Sequence, residues 1–225
     1  MISTLSARKT QGAAATKVRF DGLWRHPDFL KFWAGETVSL FGTQITLLAL
    51  PLTAVLLLNA TPSQMGLLTA IEFVPFLFIT LFAGVWSDRK RRRPVLVASN
   101  LGRGILLASV PAAALMGWLT IEYLFLVVFL FGIVGVFFEV AYQSFLPSLV
   151  EREELVEGNS KLFASASAAE IGGPGLAGLL VGVITAPFAL VLDAVSFLVS
   201  GGTLWLIRKP EPEPVRQAGR RHILR

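Results

Sequence analysis

The sequence predicts an all-α membrane protein of six transmembrane helices, and three observations carry that reading. Of the 225 residues 54% are hydrophobic and only 16% charged, with a mean hydropathy of +0.66, above the roughly 45–50% apolar content of soluble domains. The apolar residues gather in six runs of about 18 or more, each long enough to cross a hydrocarbon core roughly 30 Å thick as helix. Finally, 19 of the 20 Lys and Arg residues lie outside those spans, all on one set of alternate segments. The formal charge of +5 and pI near 10.0 would point to nucleic acid only if the basic residues shared one solvated face. They sit instead in short clusters between apolar runs, so a nucleic-acid partner is excluded.

Breaking the apolar runs at Gly, Pro and charge predicts helices over 32–58, 66–87, 94–116, 121–146, 161–185 and 187–207. Residues 1–30 carry Arg8, Lys9, Lys17, Arg19 and Arg25 and lack the apolar stretch of a cleavable signal. They read as a cytoplasmic segment, 31–207 as the membrane bundle, and 208–225 as a cytoplasmic linker. The connections at 59–65, 117–122 and 185–187 contain no Lys or Arg, whereas the other connections and both ends are basic. Basic loops stay inside. Both termini are therefore expected in the cytoplasm, with the chain threaded through the cell membrane and the lipid bilayer as its surroundings.

Other chemistries find no support. The chain has no cysteine, His26 stands alone, and His222 lies in the basic tail, so no spaced ligand set for a metal is present. The glycines of the fifth helix are not followed by Lys-Ser or Lys-Thr, which excludes a phosphate-binding loop for ATP. No enzyme site and no cofactor are expected.

Between the second and third helices runs Gly84-Val85-Trp86-Ser87-Asp88-Arg89-Lys90-Arg91-Arg92-Arg93-Pro94. This resembles the G-x-x-x-D-R-x-G-R-R loop of the major facilitator superfamily, in the same place. Arg91 departs from the pattern, which has glycine there. A basic loop can serve topology alone, but that does not require Gly84 and Asp88 at those offsets. Phe29-Leu30-Lys31-Phe32-Trp33 with Ser39-Leu40-Phe41-Gly42, Leu146-Pro147-Ser148-Leu149-Val150, Gly173-Pro174-Gly175-Leu176-Ala177-Gly178 and Asp193-Ala194-Val195-Ser196-Phe197 are similar to the macrolide and siderophore (enterobactin-type) exporter branch. The resemblance implies one six-helix half of a twelve-helix fold, built from two inverted three-helix repeats and working by alternating access, often as a proton antiporter. It also implies a gating role for Gly84, Asp88, Arg89, Arg92 and Arg93.

Away from their first turns, the expected spans hold Glu36, Glu72, Arg103, Glu139, Glu170 and Asp193. Each costs about 2.5 kcal/mol or more to insert unpaired, so each must be paired, protonated or wet. At about 1.5 Å of rise per residue, Arg103 and Glu139 reach overlapping depths, which predicts an ion pair between them. Burial of a carboxyl group favours its neutral form, so Glu36, Glu72, Glu170 and Asp193 are candidates for proton coupling or for lining a cavity. Each can equally be a hydrogen-bonded acid with no part in transport. Glu72-Phe73-Val74-Pro75 and Glu170-Ile171-Gly172-Gly173-Pro174 place an acid shortly before a proline in corresponding helices of the two repeats.

Ala164, Ala168, Gly172, Gly175, Gly178 and Gly182 make a small-residue stripe for close helix packing. Gly173, Pro174 and Gly178 mark an expected bend, since Pro174 removes a backbone donor. The reading is then a transporter half that exports small amphipathic molecules such as drugs or siderophores. Its expected partners are protons, the small-molecule substrate, and a C-terminal six-helix half or a second copy. The Pro- and charge-rich end, Arg208-Lys209-Pro210-Glu211-Pro212-Glu213-Pro214 and onward to Arg225, reads as a linker cut short. A self-contained homodimeric carrier or channel, or a non-transporting fragment, are the other readings.

Overall fold

The computed structural model describes residues 22–87 and 90–210. Six long helices fill them: α1 (Pro27–Leu52), α2 (Pro62–Ser87), α3 (Arg92–Leu115), α4 (Ile121–Leu149), α5 (Leu155–Ile184) and α6 (Ala186–Trp205). All six are long and apolar enough to cross a membrane. Counting the π-helical turn over Thr53–Leu57 with α1, every boundary except the starts of α1 and α5 lies within about four residues of the sequence reading. The two larger shifts have local causes. α1 starts at Pro27 because proline suits the first helical position and because His26 Nδ1 accepts from the Phe29 amide at 3.1 Å, an N-terminal cap. α5 starts at Leu155, ahead of the expected 161, because Glu157 and Gly158 are buried against neighbouring elements instead of lying in a polar loop.

Prolines shape the interiors. Pro51 removes one backbone donor from α1, and the chain answers by widening into a π-helical turn over Thr53–Leu57, the kind of local irregularity such a gap produces. Thr53 Oγ1 donates to the Ala49 carbonyl at 2.7 Å within this stretch. α5 continues as helix through Pro174 to Ile184, so Gly173, Pro174 and Gly178 do not end it. The carbonyl that Pro174 leaves unserved is that of Glu170, four residues earlier. The described connections opposite the basic loops are tight turns, each with a left-handed residue: Asn59 (φ 51°), Gly117 (φ 72°) and Thr185 (φ 67°).

The helices pack side by side in the order α5, α1, α6, α3, α4, α2. Exchanging the first three helices for the last three reads that order backwards, which is the pattern of two inverted three-helix repeats. The fold is therefore half of a major-facilitator-type architecture. Glycines allow the closest approaches: a Cβ on Gly42 would overlap the Asp193 carboxylate and Ser196, and one on Gly132 would press on Pro75 and the Glu72 carbonyl. The small residues of α5 that face α1 are Ser165, Ala169, Gly173 and Ala177, all buried, with Gln44 against Gly173. The expected stripe lies one step around the helix. Ala164, Ala168, Gly172, Gly175, Gly178 and Gly182 are exposed, and a Cβ on Gly175, Gly178 or Gly182 would meet nothing.

Two apolar cores form at opposite ends. Phe29, Phe32, Leu96, Phe145, Leu149 and Leu204 pack at the end that carries the basic connections. Ile45, Leu68, Val110, Leu124, Val127 and Leu190 pack at the other.

Candidate functional site

Between the two cores lies a belt of polar side chains on α1, α3, α4 and α6. Asp193, on α6, is fully buried. Its Oδ1 accepts from Ser196 Oγ at 2.8 Å, and its Oδ2 accepts from Thr46 Oγ1 of α1. The glycine at 42 is what lets α1 come this near, because any side chain there would occupy the space of the carboxylate. Hydroxyls both donate and accept, so Thr46 and Ser196 can serve this acid in either protonation state.

Arg103, on α3, is held differently from the sequence expectation. The Arg103–Glu139 ion pair is not formed: neither carboxylate oxygen of Glu139 lies within ion-pair distance of the guanidinium, and Glu139 is exposed and accepts from Gln143 Nε2 at 3.0 Å. Equal depth did not bring the two to one azimuth. Arg103 Nη2 donates instead to Asn100 Oδ1 at 2.7 Å, one turn back on its own helix, and Asn100 Nδ2 donates on to Ser200 Oγ of α6 at 2.9 Å. The guanidinium lies between two aromatic rings, 3.8 Å from the Phe138 centroid and 4.3 Å from that of Phe197. Such cation–π contacts contribute about 0.5–2 kcal/mol each, more when dry.

Glu36 faces this belt from α1 and is 7% exposed. Its Oε2 and Arg103 Nε are both buried with no hydrogen-bond partner among the described residues. Buried polar atoms are rarely orphaned. The belt is thus charged, ordered on the Asp193 and Asn100 side, and unsatisfied on the Glu36 side.

The other two candidate acids lie on the outermost helices of the row and are exposed: Glu72 on α2 and Glu170 on α5. Glu72 lines a recess of about 70 Å³ between α1, α2 and α4, together with Thr46, Met65, Thr69 and Phe131. Thr46 therefore touches both this recess and Asp193. Gly84 of the basic loop has open space around it. Asp88 and Arg89 lie outside the described residues. Arg93 Nε donates to the Leu204 carbonyl at 2.9 Å and its Nη2 to the Trp205 carbonyl, which ties the start of α3 to the end of α6. Arg92 precedes it in the first turn of α3.

Sequence reasoning passed over Asp28 and Glu157. Asp28 accepts from Lys31 Nζ at 2.8 Å and from the backbone amides of Arg208 and Lys209 at 3.2 and 2.9 Å, so it fastens the end of α6 to the start of α1. Glu157, 2% exposed, pairs with Lys161 at 3.4 Å and accepts from the Leu23 amide, while Lys161 sits 3.9 Å from the Trp24 ring. The spacing of Lys31 three residues after Asp28, and of Lys161 four after Glu157, was the available signal.

Comparison with known proteins agrees with this architecture. The chain is 24% identical over 178 residues to an uncharacterised MFS-type transporter of Bacillus subtilis, an overlap covering 77% of this chain and 40% of that protein. It is 29% identical over 197 residues to uncharacterised MFS-type transporters of Mycobacterium tuberculosis and Mycobacterium bovis, covering 83% of this chain and 44% of each. The chain thus spans less than half the length of these relatives. With the family model described as Major Facilitator Superfamily matching residues 32–225, the chain belongs to that superfamily of membrane transporters.

Proposed function

We propose that the chain is the N-terminal half of a proton-coupled secondary transporter that exports small amphipathic molecules by alternating access, with both termini in the cytoplasm. The observation that carries this reading is the placing of acids on the two outermost helices. Glu72 and Glu170 are exposed on spans that are otherwise apolar, and a charge facing lipid there costs about 2.5–3.5 kcal/mol. Water in an enclosed cavity, or a second six-helix half closing over α2 and α5, removes that cost. The exposed small-residue face of α5, on another side of the helix from Glu170, suits close approach of such a half.

Proton coupling is assigned to Asp193, with Glu72 joined to it through Thr46 and the recess they share. Glu36 and Arg103 supply the charge that a substrate or water meets in the centre of the bundle. Gating between the halves falls to Asp88 with Arg92 and Arg93. Export of drugs or siderophores rests on the resemblance to the macrolide and siderophore exporters.

The test is transport in proteoliposomes. The purified chain alone should give no proton-dependent movement of fluorescent amphipathic compounds, and coexpression with a matching C-terminal six-helix half should restore it. Transport by a homodimer of the chain would overturn the half-transporter reading. In the restored transporter, Asp88→Asn should abolish transport while leaving insertion intact, and wild-type rates would remove the gating assignment.

A further inference from the structure

At the basic end of the bundle a second pocket opens between the start of α3 and the end of α6. It has a volume of about 510 Å³ and is lined by Arg91, Arg93, Pro94, Val97, Ala98, Trp205, Arg208, Lys209 and Pro210. Four of these residues are cationic, and no carboxylate is among them. Two of the cations are committed. Arg93 caps the last carbonyls of α6, and Lys209 Nζ donates to the Leu149 carbonyl at 2.8 Å. Arg91 and Arg208 are exposed, and neither side chain has a hydrogen bond or ion pair among the described residues. Their backbones are nonetheless placed. Arg91 is the residue before α3, and the Arg208 amide is bonded to Asp28.

We propose that this pocket binds the phosphate of an anionic phospholipid headgroup, with Arg91 and Arg208 as its ligands. Two guanidinium groups on facing helix ends offer the paired donors that phosphate accepts. Arg91 stands where the loop motif has glycine. The wall below the cations is apolar and continues onto the exposed faces of both helices at Leu101, Ile105, Leu198 and Val199, where acyl chains would lie. Trp205, 71% exposed at the end of α6, has the amphipathic ring that settles at headgroup depth. A basic pocket between span ends with an apolar floor is a lipid site more than a free-phosphate site. Placing it in the cytoplasmic leaflet rests on the orientation given under Proposed function, whereas binding itself does not.

Native mass spectrometry of the purified full chain in detergent, titrated separately with phosphatidylglycerol, phosphatidylcholine and inorganic phosphate, tests this without reference to orientation. One phosphatidylglycerol should be retained in preference to phosphatidylcholine. Arg91→Gln and Arg208→Gln should each weaken that retention about fivefold, and lysine at either position, which keeps the charge but not the paired donors, should restore it only in part. Arg25→Gln with Arg152→Gln removes twice the charge of either variant from the same end and should change nothing. Helical circular dichroism and a monodisperse elution establish that each variant is folded. Equal retention of both lipids, equal loss in the Arg25 and Arg152 variant, or displacement of lipid by inorganic phosphate would overturn the proposal. Retention seen only after Glu211→Gln and Glu213→Gln would assign the pocket to the chain's own acids and overturn it as well.

Discussion

The inner helices and the outermost pair of the row are made of similar material and do opposite things with it. α6 has a mean span hydropathy of 1.6 and half of that span is buried, whereas α2 is more hydrophobic at 2.0 and only 11% buried. α5, at 1.5, is 17% buried. In water such values would rank the helices by burial, but in a bilayer lipid is as apolar as leucine and hydropathy reports only that a helix spans. Where a helix packs is decided by small residues and by polar side chains. α6 has Asp193, Ser196 and Ser200 turned inward, with Gly42 of α1 and Gly104 of α3 making room. α2 and α5 turn Glu72 and Glu170 outward. The inner helices are thus packed by contacts within the chain, whereas the outer pair leaves most of its surface open among the described residues.

The largest expected contrast comes from removing a charge at each place. Arg103→Ala removes the donor to Asn100 and opens a gap between Phe138 and Phe197. Truncating a large buried side chain to alanine costs about 2–5 kcal/mol. Thermal unfolding in detergent should show a drop of many degrees. Glu170→Gln, on the outer face, should stay within about 0.5 kcal/mol of the parent. Equal stability of the two variants would end the distinction between inner and outer helices.

Glycine substitutions sharpen the same contrast at a smaller size. Gly42→Ala must displace the Asp193 carboxylate or part α1 from α6, an overpacking worth about 1–3 kcal/mol. Gly178→Ala meets open space and should gain a little helix propensity. If Gly42→Ala melts no earlier than Gly178→Ala, the close approach of α1 to α6 is not a constraint. Asp193→Asn is milder still for the fold, since an amide can replace most of the bonds to Thr46 and Ser196, at about 1 kcal/mol. In the complete transporter it should nevertheless remove the dependence of transport on a proton gradient. Unchanged coupling would move that role to Glu72 or Glu36.

How much of this was legible follows the same division. Span number and the bare turns were readable because hydropathy and loop charge are local properties of sequence. Facing was not, because it depends on azimuth. Ala164, Ala168, Gly172 and Gly175 looked like the packing face of α5, yet Ser165, Ala169, Gly173 and Ala177 pack, and both series have helical spacing. Arg103 and Glu139 matched in depth but not in direction. Asn100, at the three-residue spacing that puts two side chains on one helix face, was the partner that local reasoning could have found. Asp193 needed no azimuth to be noticed, since an acid inside a span stands out wherever it points.

The smallest perturbation asks what covers the outer face. The chain has no cysteine, so single cysteines report without background. A maleimide reacts with the thiolate, which forms only where water reaches the sulfur. Ala168→Cys and Gly175→Cys lie on the exposed small-residue face of α5, and Leu192→Cys lies on an exposed part of α6 whose neighbours are apolar. All three should leave stability unchanged. If α5 borders a water-filled cavity in the complete transporter, the two α5 thiols should react with a hydrophilic maleimide at rates near that of a thiol at Pro62, the exposed first residue of α2, and Leu192→Cys should react far more slowly. Protection of the α5 thiols that disappears when the C-terminal half is withheld would place that half on the face directly. Three equally slow thiols, in the complete protein and in the chain alone, would mean that lipid covers this face of α5 as it covers α6.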